Sequence, residues 1–163
     1  MESWPPLCYR RAVAYVTDPA GRLLVFDHVH IASAGTQVPA GGIHEGEPPE
    51  VAVLRELAEE TGIEGADLVR KLGEAWNRSA PGNVPPGLDE QIHHPFHLHL
   101  AEPTVAREWE WEECSGGDVV EHLFRCYWLG LDDAATALFP IQAMWLPSLR
   151  RSLELVLAAS SVR

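Results

Sequence analysis

The stretch Gly41-Gly42-Ile43-His44-Glu45-Gly46-Glu47-Pro48-Pro49-Glu50-Val51-Ala52-Val53-Leu54-Arg55-Glu56-Leu57-Ala58-Glu59-Glu60-Thr61-Gly62-Ile63 holds most of what this chain says about its fold and chemistry. From Pro49 to Thr61 the apolar residues recur at helical spacing. Pro48 and Pro49 suit a first turn, where a missing N–H is no loss, and Gly62 suits a C-terminal stop. At about 100° per residue, with Glu56 at zero, Glu60 falls near roughly 40° and Glu59 near roughly −60°. Three carboxylates therefore crowd one face. Val51, Val53, Leu54, Leu57 and Ala58 fall between roughly 60° and 220° and are expected to form the buried stripe. Ala52 sits among the carboxylates, where its small side chain leaves them open. Like charges three and four residues apart destabilise a helix by a few tenths of a kcal/mol per pair, and a hard cation held by several carboxylates offsets that cost. A solvated acidic face is the other reading that the carboxylates alone permit.

Outward from this helix, Tyr9 to Thr17 reads as a strand. Asp18-Pro19-Ala20-Gly21 reads as a turn, and Leu23 to Asp27 as the returning strand. Asp67 to Trp76 reads as one mixed strand and 77–90, rich in Pro and Gly, as a loop. His93 to Leu100 alternates, with His94, Phe96, Leu98 and Leu100 on one side and His93, His97 and His99 on the other. The acidic, Trp-rich segment 101–118 reads as a loop or irregular hairpin arm, and Glu121 to Leu131 as a strong strand. Ala143 to Leu146 is expected as a short last strand and Pro147 to Ala159 as a closing helix. There is no internal repeat. Strands and two helices in this order predict one α+β domain over 1–163, an α/β/α sandwich.

The 163 residues suffice for one compact domain, and 46% of them are apolar, including six Trp. The formal charge of −12 works against binding a nucleic-acid duplex or an anionic membrane by simple attraction. A phosphate-bearing ligand would also be repelled unless a cation accompanied it. Cys8, Cys114 and Cys126 are scattered, with no CxxC pair, so a disulfide framework is not expected and a reducing, cytoplasmic setting is. No signal peptide and no bilayer-length apolar stretch is expected either.

The opening stretch also resembles the signature of a known family. Gly41, then five residues, Glu47, then seven residues, Arg55-Glu56-Leu57, one residue, Glu59-Glu60, one residue, Gly62-Ile63 matches the whole Nudix box (41–63). Seven identities and two apolar positions would meet by chance in on the order of one in a billion windows. The resemblance implies a Nudix fold, a mixed β-sheet flanked by the box helix and a C-terminal helix. It implies a Mg²⁺-dependent hydrolase, with Mn²⁺ as a substitute, that cleaves a diphosphate linkage in a nucleoside diphosphate joined to another moiety. Glu56 and Glu60 would be the main metal ligands, with Glu59 a ligand or water-holding partner and the Ala40 carbonyl a backbone ligand. Arg55 would orient a carboxylate, Glu56 or Glu47, through paired hydrogen bonds. Gly41, Glu47 and Gly62 would shape the loops. Glu59 and Glu56 rank first as the base, ahead of a remote acid. The resemblance is also the sole ground for expecting a homodimer. A non-catalytic nucleotide- or partner-binding Nudix domain is the alternative, although such domains usually lose box acids. An isoprenyl diphosphate isomerase would need a catalytic cysteine motif that is not recognisable here.

Outside the box, Glu90, Glu110, Glu112 and Glu113 are candidates for an accessory glutamate, with Glu110 preferred. Trp109 and Trp111 share a side if extended, and covering the core is favoured over stacking a nucleobase. His97 and His99 have His-x-His spacing but no third zinc ligand in a recognisable motif. The favoured reading is a strand face lining the substrate cleft, where His93, His97 or His99 could donate to phosphate. Loops at 28–37, 77–90 and 101–118 are expected to build the pocket.

Overall fold

The computed structural model describes residues 8–78, 90–113 and 122–161. Strands β1 (Cys8–Thr17) and β2 (Leu23–His28) form the expected hairpin. They are followed by a 3-10 turn at Ala32–Ala34, β3 (Ala40–Gly42) and helix α1 (Pro49–Thr61). Then come β4 (Asp67–Lys71), β5 (Ala75–Arg78), β6 (Glu90–His99), β7 (Glu108–Glu112) and β8 (Leu123–Leu129). Helices α2 (Leu131–Ala137), α3 (Pro140–Ala143) and α4 (Leu146–Ser160) close the chain.

The strands form one mixed sheet in the order β4-β6-β1-β2-β8-β7, with β3 also on β1 and β5 also on β6. The β1–β6 pair is parallel and the others are antiparallel. Period-2 alternation splits the side chains of β1 between two cores. Ala12, Ala14 and Val16 join Ala52, Val53 and Leu57 of α1, while Val13 and Tyr15 join Leu146, Leu149 and Leu153 of α4. Helices on both faces make this the expected α/β/α sandwich.

Several expectations shift. The segment 67–76 is two strands, not one, both paired to β6. The short strand expected at Ala143–Leu146 is instead the end of α3, a turn, and the start of α4. Pro140 and Pro147 both fit first helical turns, where proline's missing donor is harmless. The acidic arm contains a true strand, β7, paired along β8. The loop at 77–90 lies mostly outside the described residues, as do Cys114 and most of the end of the 101–118 segment. No helix among the described residues is long and apolar enough to cross a membrane.

His97, taken from sequence as a candidate cleft residue, is instead a core group. It is fully buried, with Nε2 2.7 Å from Thr17 Oγ1 and Nδ1 2.6 Å from Ser152 Oγ. His99 Nδ1 lies 2.8 Å from the same threonine oxygen. These polar groups tie α4 to the sheet, because each can be satisfied only by its neighbour. Burial pushes the pKa of His97 down to about 4, as it does for His93 and His94. A folded pKa below the free value means that protonation opposes folding. The contribution of these rings is complete above about pH 6.5 and is lost as pH falls toward 4. Imidazole ¹⁵N NMR should therefore show all three rings neutral at pH 5.5, and Ser152→Ala should lower stability by about 1–3 kcal/mol in urea unfolding. A charged His97 at that pH would contradict this core arrangement.

Candidate active site

Helix α1 runs over the expected span and stops at Gly62, whose φ of 77° is left-handed and whose N–H donates to Ala58 O. A side chain at Gly62 would also strike the Trp111 ring, since a Cβ there would lie 2.6 Å from it. The buried face of α1 is not the apolar stripe read from the helical wheel. Val51 and Leu54 are 53% and 39% exposed, whereas Ala52, Glu56 and Glu60 are 0%, 7% and 5% exposed. The helix inserts Val53 and Leu57 into the core and turns its acidic edge toward β3. Hydropathy alone cannot foresee this, because it places every carboxylate outside.

Arg55 makes the arrangement tolerable. Its Nε and Nη2 donate to both oxygens of Glu47, at 2.9 and 2.8 Å. Nη1 donates to Glu56 Oε1 at 2.8 Å and to Glu59 Oε2 at 3.2 Å, while Nη2 also reaches Gly42 O at 2.9 Å. One planar fork thus holds three carboxylates and the loop backbone, which an ammonium could not do. The Arg55 hydrogen bonds hold the Glu47 carboxyl down to about pKa 2.

Glu60 is held from the other side. The β1–β3 register pairs Val13 with Ala40, flanked by Ala14 N–H donating to Pro39 O, so the Ala40 amide turns away from β1. It donates to Glu60 Oε1 at 2.9 Å, and in an extended strand the Ala40 carbonyl faces the same way. Burial raises the Glu60 pKa well above the usual range, and the charges of Glu56 and Glu113 add to it. The Glu56 pKa is also raised by burial and by Glu59 and Glu113, against the pull of Arg55. Gly41 is required by space: a Cβ there would sit 2.0 Å from the Glu56 carboxyl carbon.

Among the described residues, no three His, Cys, Asp or Glu side chains are set as a ready metal cage. The donor chemistry nevertheless fits a hard cation. One oxygen each of Glu56, Glu59 and Glu60 is taken by Arg55 or the Ala40 amide, and none of their second oxygens has a hydrogen-bond partner among the described residues. Carboxylates crowded and partly buried in this way are what Mg²⁺ or Mn²⁺ relieves.

The accessory candidates separate by strand parity. Trp109 and Trp111 pack on the α1 core and donate through Nε1 to Thr61 O and Glu59 O, at 2.8 and 3.1 Å. Glu113 follows with the same parity, and its charge reaches Glu56 and Glu60. Glu110 has the opposite parity. It lines a cavity of about 400 Å³ with Asp27, His28, Ile31, Thr36 and Arg125, which includes part of the expected 28–37 loop. The Glu90 and Glu112 side chains give no further site: the first lies outside the described side chains and the second is exposed.

A mixed sheet between helices, with a loop–helix–loop that gathers glutamates around one arginine, defines a protein built to present carboxylates at one edge of the sheet. The chain belongs to the NUDIX domain family, whose model matches residues 9–149. It is 46% identical over 70 residues to Nudix hydrolase 26, chloroplastic, of Arabidopsis thaliana, covering 42% of this chain and 32% of that protein. It is 39% identical over 66 residues to RNA pyrophosphohydrolase of Sphingopyxis alaskensis, covering 39% and 42%. These matches span less than half the length of either relative. Among solved structures it resembles a C. elegans Ap4A hydrolase binary complex, with TM-score 0.64 and 17% identity over 90% of this chain and 98% of that one. It also resembles the E. coli dihydroneopterin triphosphate pyrophosphohydrolase, with TM-score 0.63 and 16% identity over 84% and 91%.

Arg55→Lys should lower stability by about 1–3 kcal/mol, because the substitute cannot hold Glu47, Glu56, Glu59 and Gly42 O together. Thermal unfolding at pH 7 checks this. A variant as stable as the parent would show that the fork does not hold the loop.

Proposed function

We propose that this chain is a divalent-metal-dependent hydrolase of a diphosphate linkage in a nucleoside diphosphate joined to another group. The observation that carries the reading is the set of unengaged oxygens on Glu56, Glu59 and Glu60, gathered by Arg55 and the Ala40 amide. Glu56, Glu60, Glu59 and the Ala40 carbonyl would hold Mg²⁺, with Mn²⁺ as a substitute. The ion, when bound, supplies a Lewis acid for a phosphoryl oxygen and acidifies a water.

The remaining work falls to side chains. Glu59 is the most exposed of the three carboxylates, with a side-chain exposure of 24% against 9% for Glu56. It is therefore the base we assign to accept the proton of the attacking water, with Glu56 next. Arg55 positions both by fixing one oxygen of each. Gly41 keeps the Glu56 carboxylate free of contact from the loop. The relatives named above act, by their names, on RNA, on dihydroneopterin triphosphate and on Ap4A, and phosphate-bearing substrates are common to them. The buried free thiol of Cys126 suits a reducing compartment such as the cytoplasm.

Purified protein with Mg²⁺ or Mn²⁺ should release phosphate or nucleotide from at least one of a panel of nucleoside triphosphates, nucleotide sugars, dinucleoside polyphosphates and coenzymes. Glu60→Gln should cut that turnover at least about a hundredfold, and chelation should abolish it. Silence across the panel, or full activity in Glu60→Gln, would refute the reading.

A further inference from the structure

On the sheet face away from α1, beside the cavity of about 400 Å³, β8 places Arg125 and Tyr127 two residues apart and so on one side. The Arg125 guanidinium lies over the Tyr127 ring, with its carbon 4.8 Å from the ring centre. Nη2 donates to Asp27 Oδ2 at 2.8 Å and Nη1 to Glu108 Oε1 at 2.9 Å. Asp27 also accepts from the Tyr127 hydroxyl at 3.1 Å and from Thr36 Oγ1 at 2.7 Å. One carboxylate thus fixes both members of the stack, so the guanidinium is held in place before any ligand arrives.

Both Nη atoms of Arg125 are engaged by carboxylates, and Glu110 stands directly across from it on β7, on the same face. Three carboxylates around one cation repel an anion, so a free phosphate is a poor fit. What Arg125 has left is a flat face: its side chain is 46% exposed and lines the cavity, which Tyr127 beneath it does not. A guanidinium stacks on aromatic rings through such a face. Val29 and Ile31, 40% and 45% exposed, add apolar wall to the same cavity. Its size falls within the range of small-molecule pockets, roughly 300–1,000 Å³. Glu110 makes no hydrogen bond or ion pair with any described residue, so both its oxygens are open. A carboxylate with two open oxygens matches two parallel donors. Guanine presents that pair on one edge, a ring N–H beside an exocyclic amine. Adenine sets its amine beside a ring lone pair that a carboxylate repels.

We propose that this cavity is a guanine site: the base stacks on the open face of Arg125 and presents its ring N–H and amine to Glu110. The inference goes beyond the hydrolase reading and needs neither the box nor a metal. Arg125, Tyr127, Asp27 and Glu110 all share the strand parity that faces away from α1. The competing role is a surface ion-pair network that only pins β2 and β7 to β8. That role predicts no selectivity among bases.

NMR titration of the ¹⁵N-labelled protein with nucleosides, which carry no phosphate, separates the two in metal-free buffer. Guanosine should shift the amides around Glu110 and Arg125 and bind at least about fivefold more tightly than adenosine. Inosine, which keeps the ring N–H but lacks the amine, should bind about two- to tenfold more weakly than guanosine. Arg125→Gln should weaken guanosine binding at least about fivefold. Glu110→Gln should bring guanosine and adenosine within about twofold of each other. No guanosine binding by the parent, adenosine binding as tightly as guanosine, or parental affinity in Arg125→Gln would overturn the assignment. An unchanged preference for guanosine in Glu110→Gln would do the same. If Arg125→Gln does not fold, Arg125→Lys, which keeps the charge but loses the plane, decides, and parental affinity there overturns it. Guanosine-selective binding by a protein inactive across the substrate panel would sink the hydrolase reading alone. Turnover without such binding would sink this one alone.

Discussion

Arg55 is the group on which the acidic edge of α1 depends. Four carboxylates, Glu47, Glu56, Glu59 and Glu60, are brought close on or beside one short helix, and Glu56 and Glu60 are more than nine-tenths shielded from solvent. Bare carboxylates in such a place would protonate or swing away. The guanidinium holds Glu47, Glu56 and Glu59 in place by hydrogen bonds and at the same time ties the preceding loop to the helix through Gly42 O. Glu60 lies outside that grip and is steadied by the Ala40 amide. Its second oxygen has no hydrogen-bond partner among the described residues, so the steadying is incomplete.

The same incompleteness is the physical basis of the proposed function. Under the proposed function, the spare carboxylate oxygens would take a divalent ion, whose charge would reverse the sign of the local field for a phosphate. A strongly acidic protein can in this way receive an acidic substrate.

How much of this was legible from sequence varied with the kind of signal. The bounds of α1 were readable because Pro49 and Gly62 punctuate it through backbone geometry, which is local. The β1–β2 hairpin and β8 were readable from apolar runs and turn residues for the same reason. The buried face of α1 was not. It depends on Arg55 lying across Glu47, Glu56 and Glu59, a tertiary pairing that makes buried glutamates affordable, so apolarity misplaced Val51 and Leu54. The place of His97 was hidden likewise, because its partners Thr17 and Ser152 are remote in sequence. Among the candidate acids, the split between Glu110 and Glu113 is a matter of strand parity, which could be counted only once β7 was known to be a strand.

The proposed chemistry turns on whether the spare oxygens beside Arg55 take a metal ion. Anomalous diffraction from crystals soaked in Mn²⁺ tests this most directly. The arrangement predicts a manganese peak about 2.0–2.3 Å from carboxylate oxygens of Glu56 and Glu60, with Arg55 still on Glu47. Manganese found only elsewhere, or an empty box with all three glutamates unmoved at saturating metal, would contradict it.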